Sequence, residues 1–375
     1  MTNRAPSPLT ALNPNAAQLA PSLIRQIHAL KKPTSIDLSL GEPSLPIEPE
    51  LWARGLARFA RSPQGYSPNL GLPELREHIA AYSAASPAQV LVATGSQEAL
   101  FVAFFTLLKP GDEVVIMDPS YPAYANLARM CGAVPVAVPL RAPHYSLVVD
   151  DVRAVLTART RLVVVSSPSN PLGRCDSEVE LRRLAALAED QGFTIVSDDI
   201  YRELTFATAP PLLRTFGSQV ITVGGLSKSC AMTGHRLGWL VADAALIQKM
   251  WPVHQLTVSC APTLAQHLAI EAFAEPRFLT AHRAIYAARA EAAQRALGTL
   301  PYITPQGGLY VMVEAVPNGE DAFAFCKRFL AEQDVVTTPG TAFGQALPRH
   351  VRLTIAGQPS AFAEGARRLT SFSAR

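Results

Sequence analysis

Lys228 and Arg236 stand eight positions apart in Gly225-Leu226-Ser227-Lys228-Ser229-Cys230-Ala231-Met232-Thr233-Gly234-His235-Arg236-Leu237-Gly238, a stretch that follows the apolar run Val220-Ile221-Thr222-Val223. An amine can condense with a carbonyl to form a Schiff base, and a guanidinium can clamp a phosphate with paired hydrogen bonds. Together they suit an aldehyde that carries a phosphate, and pyridoxal 5'-phosphate carries both groups. A lone lysine is ordinarily a solvated surface charge. Delivery by a buried strand into a loop of glycine, serine and threonine places this one inside a site instead. Cys230 is also a nucleophile by type, but a small buried thiol is the simpler reading.

Further polar residues follow other apolar runs. Gly95-Ser96-Gln97 comes after Val90-Leu91-Val92 and opens a helix over Glu98 to Leu108, whose free amides suit a phosphate. A plain strand-to-helix turn is the alternative. Tyr121, in Asp118-Pro119-Ser120-Tyr121-Pro122, offers a ring that stacks on a planar heterocycle or fills a core. Asn170, in Ser169-Asn170-Pro171-Leu172-Gly173, is a turn residue or a donor to a phenolate oxygen. Asp198 either caps a helix or faces a pyridine nitrogen and keeps it protonated, which makes the ring an electron sink. Tyr201, three residues on, is placed to donate to the same phenolate. Each role is weak alone, but together they cover every polar atom of pyridoxal phosphate.

The elements that must position these residues are legible as a repeating pattern. Val90-Leu91-Val92, Val114-Val115-Ile116-Met117, Val134-Pro135-Val136-Ala137-Val138, Leu162-Val163-Val164-Val165, Phe193-Thr194-Ile195-Val196 and Val220-Ile221-Thr222-Val223 read as strands with helical stretches between them. Their continuous apolar character fits strands buried on both faces. Ser177 and Glu180 stand at capping-box spacing before the stripe Leu181, Leu184, Ala185 and Ala188, and Gly192 ends that helix. The alternation predicts an α/β fold, a large domain with a mostly parallel sheet flanked by helices, with ligands at the carboxyl ends of the strands. Residues 1–45 read as an N-terminal arm contributing to a small domain, 46–275 as the large domain and 276–375 as the small C-terminal α+β domain. The last of these holds a long alanine-rich helix, Phe278 to Leu297, and strand-like pieces Gly308 to Val313 and Val351 to Ile355.

Composition narrows the function classes. The chain has 375 residues, a net charge of +3 and a charged fraction of 17%, below the roughly 25% of an average soluble protein. Lys and Arg are scattered without a basic run, so neither nucleic acid nor an anionic membrane is indicated. Apolar runs such as Ala99 to Leu108 fall far short of the about 18 residues needed to span a bilayer. Met1 to Asn15 lacks the pattern of an export signal, and five widely spaced cysteines without a metal-like pairing point to reduced thiols and no metal site. A cytoplasmic protein that acts on small molecules is the expectation.

The ordered motifs carry a resemblance. Leu40-Gly41-Glu42-Pro43, Tyr66 with Gly71-Leu72-Pro73-Glu74-Leu75-Arg76, Gly95-Ser96-Gln97, Asn170-Pro171-Leu172-Gly173, Asp198-Asp199-Ile200-Tyr201, Ser227-Lys228 with Arg236, Pro339-Gly340-Thr341-Ala342-Phe343-Gly344, and Arg352 run through nearly the whole chain. The chain resembles a fold-type I pyridoxal-phosphate enzyme of the class I/II aminotransferase family, with an aspartate-aminotransferase-like fold.

The resemblance implies that Lys228 holds the cofactor as a Schiff base and moves a proton between Cα and the cofactor. It implies that Asp198 pairs with the ring nitrogen, Asn170 and Tyr201 flank the phenolate, Tyr121 stacks on the ring, and Ser96, Gln97, Ser227 and Arg236 hold the phosphate. Arg352 would grip the substrate α-carboxylate near the backbone of Gly41. Tyr66 would be lent to the partner subunit's phosphate, which implies a homodimer with shared sites. The substrates implied are an L-amino acid and a 2-oxo acid.

The chain also departs from the family pattern. Gly225 stands where many relatives have a serine, and His235 where an aromatic residue is common. Gln97 occupies a position where one aspartate-specific branch carries lysine, which leans away from a dedicated aspartate enzyme. A C–S β-lyase on the same scaffold and, more remotely, a ligand-sensing domain are the competing readings.

Overall fold

The computed structural model of the protein describes residues 12–373. Its centre is a seven-stranded sheet made of β1 (Val90–Ala93), β2 (Glu113–Asp118), β3 (Val134–Pro139), β4 (Thr160–Ser166), β5 (Thr194–Asp198), β6 (Val220–Gly225) and β7 (Gly238–Val241). The order across the sheet is β1-β7-β6-β5-β4-β2-β3, and β7 alone runs against its neighbours. Apolar side chains on both faces of these strands enter two clusters. One holds Val114, Leu162, Val196 and Ile221, the other Val115, Val163, Val165 and Ile195. Burial on both faces explains why these strands read as unbroken apolar runs, except at β3, an edge strand in which only Val138 is buried, so its apolar run does not mark burial on both faces.

All six strands expected from the sequence are present. The fifth begins a residue later than expected and runs on through Ser197 and Asp198, two buried polar residues that apolar patterning does not capture. β7 was not anticipated, because four residues of which the first is glycine leave little pattern to recognise.

The helix Glu178–Gln191 forms where its caps predict. Ser177 Oγ accepts from the Glu180 amide at 3.2 Å, and Gly192 closes the helix at φ +72°. The capping box is only half formed, since the Glu180 carboxylate accepts from the Val149 amide at 2.6 Å instead of reaching back to Ser177.

Beyond the large sheet, β8 (Tyr302–Ile303), β9 (Tyr310–Glu314), β10 (Thr338–Pro339) and β11 (His350–Thr354) form an antiparallel sheet of order β10-β11-β9-β8 in a smaller domain. Ile36–Asp37 pairs in parallel with Val335–Val336, and Ile27 and Leu38 enter the core with Phe325, Phe329 and Leu353.

The long helix expected from Phe278 to Leu297 is divided into Arg277–Thr280 and Arg283–Leu297. The division has a packing cause. Phe278 and Leu279 are buried with Trp239 and Phe273 of the large domain, whereas Ala290, Ala293 and Leu297 are buried in the small one. One straight stripe does not serve both cores.

Candidate active site

The loops after β1, β2, β4, β5 and β6 converge on a cavity of about 560 Å³ at the carboxyl edge of the sheet. It is lined by Gly41, Ser96, Gln97, Tyr121, Asn170, Asp198, Tyr201, Ser227, Lys228, Arg236 and Arg352. Of the expected site residues only Tyr66 is elsewhere. Its side chain is 92% exposed and lies in a separate surface cleft with Gln64, Thr94 and Cys260.

Lys228 follows β6, and its Nζ donates to the carbonyl oxygen of Gly41 at 2.8 Å. Burial pulls its pKa below the usual lysine value, helped by the charges of Arg352 and Arg236 and opposed by Tyr310 and Glu42. A larger share of neutral, nucleophilic amine results.

Arg236 packs against the head of the helix Ser96–Leu107. Gly95 there has φ +83°, and a Cβ on it would fall 2.4 Å from Arg236 Nη2. The Arg236 Nη1 donates to the Thr233 carbonyl at 2.9 Å, and no carboxylate pairs with this guanidinium among the described residues. A cation beside free helix amides makes an anion cradle.

Asp198 ends β5 and is buried, accepting from Tyr124 Oη at 2.7 Å and from the Ile200 amide at 3.2 Å. Burial pushes its carboxyl up to about 6 against those two bonds. Above that pH it is a buried anion without a cation among the described residues. A protonated ring nitrogen is the charge such a carboxylate lacks.

Arg352, on β11, is 2% exposed. Its Nη2 donates to the Ser39 carbonyl at 2.6 Å and Nη1 to Asn170 Oδ1 at 2.9 Å, while Nε is buried with no partner. Its face lies 3.9 Å from the Tyr310 ring centre and 4.6 Å from that of Phe343. No carboxylate pairs with it among the described residues. Leaving a guanidinium buried and unpaired costs several kcal/mol, so the arrangement favours an incoming carboxylate. Asn170 gives its oxygen to Arg352, which leaves its amide hydrogens for another acceptor.

Tyr121 Oη donates to Gln97 Oε1 at 3.2 Å. Ser227 is buried, directly before Lys228. An aldehyde, a phosphate, a basic ring nitrogen and a phenolic oxygen thus each have a complementary group in one cavity, and the residues fit pyridoxal phosphate.

Among the pocket residues that were not foreseen, Tyr124, Tyr310 and Arg25 bear on the chemistry. Tyr124, the partner of Asp198, lies one helical turn after Tyr121, a spacing that links them once the helix Ala123–Met130 is drawn. Tyr310 lies inside an apolar run and carries no signal of its own. Arg25, on the short helix Leu23–His28, reaches the same cavity wall as Lys228 although it lies far from it in sequence, with no local mark.

Two family departures have local explanations. A Cβ at Gly225 would meet Ile200 Cδ1 and the Leu237 carbonyl, each at 3.0 Å, so glycine suits this packing. His235 stands in for an aromatic residue, with its ring centre 5.6 Å from that of Trp52. Cys230 is buried and its thiol is pushed up to about 12 by desolvation, so it is no nucleophile at neutral pH.

A nucleophilic lysine and a buried, unpaired arginine at the carboxyl edge of a mostly parallel sheet define an enzyme for small molecules that bear an amine and a carboxylate. The pattern of the family described as aminotransferase class I and II matches residues 33–369. The chain is 32% identical to a probable N-acetyl-LL-diaminopimelate aminotransferase of Bacillus subtilis (96% of this chain, 95% of that one). It is 33% identical to a probable aspartate/prephenate aminotransferase of Thermus aquaticus (86% and 87%). A solved structure of a single mutant of Thermus thermophilus aspartate aminotransferase superposes with a TM-score of 0.90 at 28% identity, covering 96% of this chain and 99% of that one. The chain belongs to the class I and II aminotransferase family, with the aspartate-aminotransferase-like fold. Its reaction class is transfer of an amino group between an amino acid and a 2-oxo acid.

Proposed function

We propose that this aminotransferase works by a ping-pong sequence on pyridoxal 5'-phosphate held at Lys228, with both half-reactions in the one cavity. The observation that carries the reading is Arg352: a buried guanidinium without a carboxylate partner among the described residues, in the same cavity as an amine of lowered basicity.

Bound cofactor supplies an electron-withdrawing ring that accepts the electrons of a substrate Cα–H bond. The chain's own groups do the rest. Arg352 holds the α-carboxylate through a planar fork, with the backbone of Gly41 alongside. Lys228 Nζ would take the proton from Cα and deliver it to the cofactor carbon that carried the aldehyde, the shift that leads to the 2-oxo acid. Asp198 keeps a proton on the ring nitrogen. Asn170 and Tyr201 would hold the phenolic oxygen, Tyr121 would cover the ring, and Ser96, Gln97, Ser227 and Arg236 would take the phosphate.

Tyr66, exposed and outside its own cavity, completes the phosphate site of a partner copy in a homodimer. Residues 1–45, 46–275 and 276–375 act as arm, large domain and small domain, a division supported by the pairing of Ile36–Asp37 with Val335–Val336. A cytoplasmic setting is supported by five unpaired cysteines.

The test is the absorption spectrum of purified protein with pyridoxal phosphate while single amino acids are added without an oxo acid. Bleaching of the visible band by some donors, with one equivalent of 2-oxo acid formed, is the expected result. A persistent band with steady release of pyruvate and ammonia identifies a lyase. Lys228→Ala should abolish turnover with folding intact, and full activity in that variant refutes the assignment.

A further inference from the structure

Two phenol oxygens meet where the large and small sheets face each other. Oη of Tyr201, just after β5, stands 3.0 Å from Oη of Tyr310, at the start of β9, and both side chains are buried. The rings meet edge to face with centres 5.9 Å apart. Tyr310 is held firmly. Arg352 lies over its ring at 3.9 Å, and its hydroxyl is lodged against Gly41, where a Cβ would fall 1.8 Å from it. The same Gly41 gives its carbonyl to Lys228.

A phenol carries one hydrogen, so the direction of this bond matters. If Tyr310 donates, the hydrogen of Tyr201 is free to point into the cavity, toward the cofactor's phenolic oxygen. If Tyr201 donates, it offers that oxygen only lone pairs. We propose that Tyr310 is a positioning residue that directs the hydrogen of Tyr201, and so sets the proton balance between the cofactor's phenolic oxygen and the Lys228 nitrogen. The inference rests on the cofactor reading given above.

The surroundings select one direction. Burial raises the Tyr310 hydroxyl, but the charges of Arg352 and Lys228 and the bond with Tyr201 bring it below the usual tyrosine range. Burial and Tyr310 push Tyr201 well above that range. Arg352 lies over the ring of Tyr310 and not over that of Tyr201, which favours Tyr310 as the donor, and with Tyr310 donating the hydrogen of Tyr201 turns inward. Arg25, Glu42, Tyr121, Tyr124, Asp198 and Arg236 are the other titratable groups that line this cavity.

The experiment titrates the visible band of the holoenzyme against pH in the wild type, Tyr201→Phe, Tyr310→Phe and the double variant. Loss of the Tyr201 donor leaves the phenolic oxygen more basic, and loss of Tyr310 removes the bond that polarises and fixes that donor, so in both cases the proton shared with Lys228 is held to higher pH. Tyr310→Phe should raise the midpoint by about half a pH unit or more, and Tyr201→Phe by at least as much. The double variant should move no further than Tyr201→Phe alone, because Tyr310 acts through Tyr201. As a second probe, 3-fluorotyrosine at position 310 keeps the hydroxyl, strengthens the donor and should lower the midpoint. An unchanged midpoint in both position-310 variants, or additive shifts in the double variant, overturns the proposal and leaves the cofactor reading intact. A wild type that shows no visible band with pyridoxal phosphate overturns the cofactor reading, and the proposal with it.

Discussion

Gly95 and Arg236 meet in space that only glycine leaves open: a Cβ at position 95 would stand 2.4 Å from Nη2 of the arginine, and the backbone there has φ +83°. The head of the helix Ser96–Leu107 and the guanidinium can therefore face one anion together. Gly95→Ala should weaken pyridoxal phosphate binding by about tenfold or more, through both backbone strain and displacement of Arg236. Equilibrium binding followed by absorbance checks this, and an unchanged affinity would remove the pair from the phosphate site.

Arg352 donates to Asn170 and to the Ser39 carbonyl, and lies against two aromatic faces. Lysine reproduces neither the fork nor the stacking. Arg352→Lys should raise KM for the amino acid by about tenfold or more and lower kcat as well, since the Cα–H bond loses its alignment with the ring. Steady-state kinetics decide the matter, and an unchanged KM argues against carboxylate binding by this residue.

Asp198 predicts a pH effect on stability without cofactor. Burial raises its carboxyl from the ordinary 3.8 to about 6 in the folded chain. Between those values the native state binds more protons than the unfolded state, so stability falls as pH rises through that window. Asp176 and Asp199 shift the same way and share the trend. Urea titrations of the cofactor-free protein from pH 4 to 7 should show a shallower decline for Asp198→Asn than for the wild type. Equal slopes would show that Asp198 is not desolvated.

Tyr66 gives a sharp contrast, because a side chain 92% exposed in the single subunit has little to lose on substitution. If it completes the phosphate site of a partner copy, Tyr66→Phe should weaken cofactor binding roughly tenfold, the value of one hydrogen bond to a charged group. Binding indistinguishable from wild type would detach it from the site.

The local sequence was enough to determine six of the seven strands of the large sheet and the residues at their ends. Unbroken apolar runs marked the strands, all but the exposed edge strand β3 buried on both faces, and the polar residues after Val92, Met117, Val165, Val196 and Val223 therefore fell at the carboxyl edge of one sheet. Their chemical types already matched the parts of one cofactor. Sequence patterning carries such information because strand burial and turn chemistry are local properties.

Tertiary structure alone decided which distant groups meet. Arg352 reaches Asn170 across 182 residues, Tyr310 reaches Tyr201 across 109, and Tyr124 reaches Asp198 across 74. Tyr310 sits in an apolar run that gives no hint of a polar task, and Arg25 lies on a helix of six residues with no mark of the cavity it lines. The break at Ala281–His282 likewise follows from two cores that one stripe cannot join. These relations depend on how the two domains pack across the cavity, a long-range outcome that no window of sequence contains.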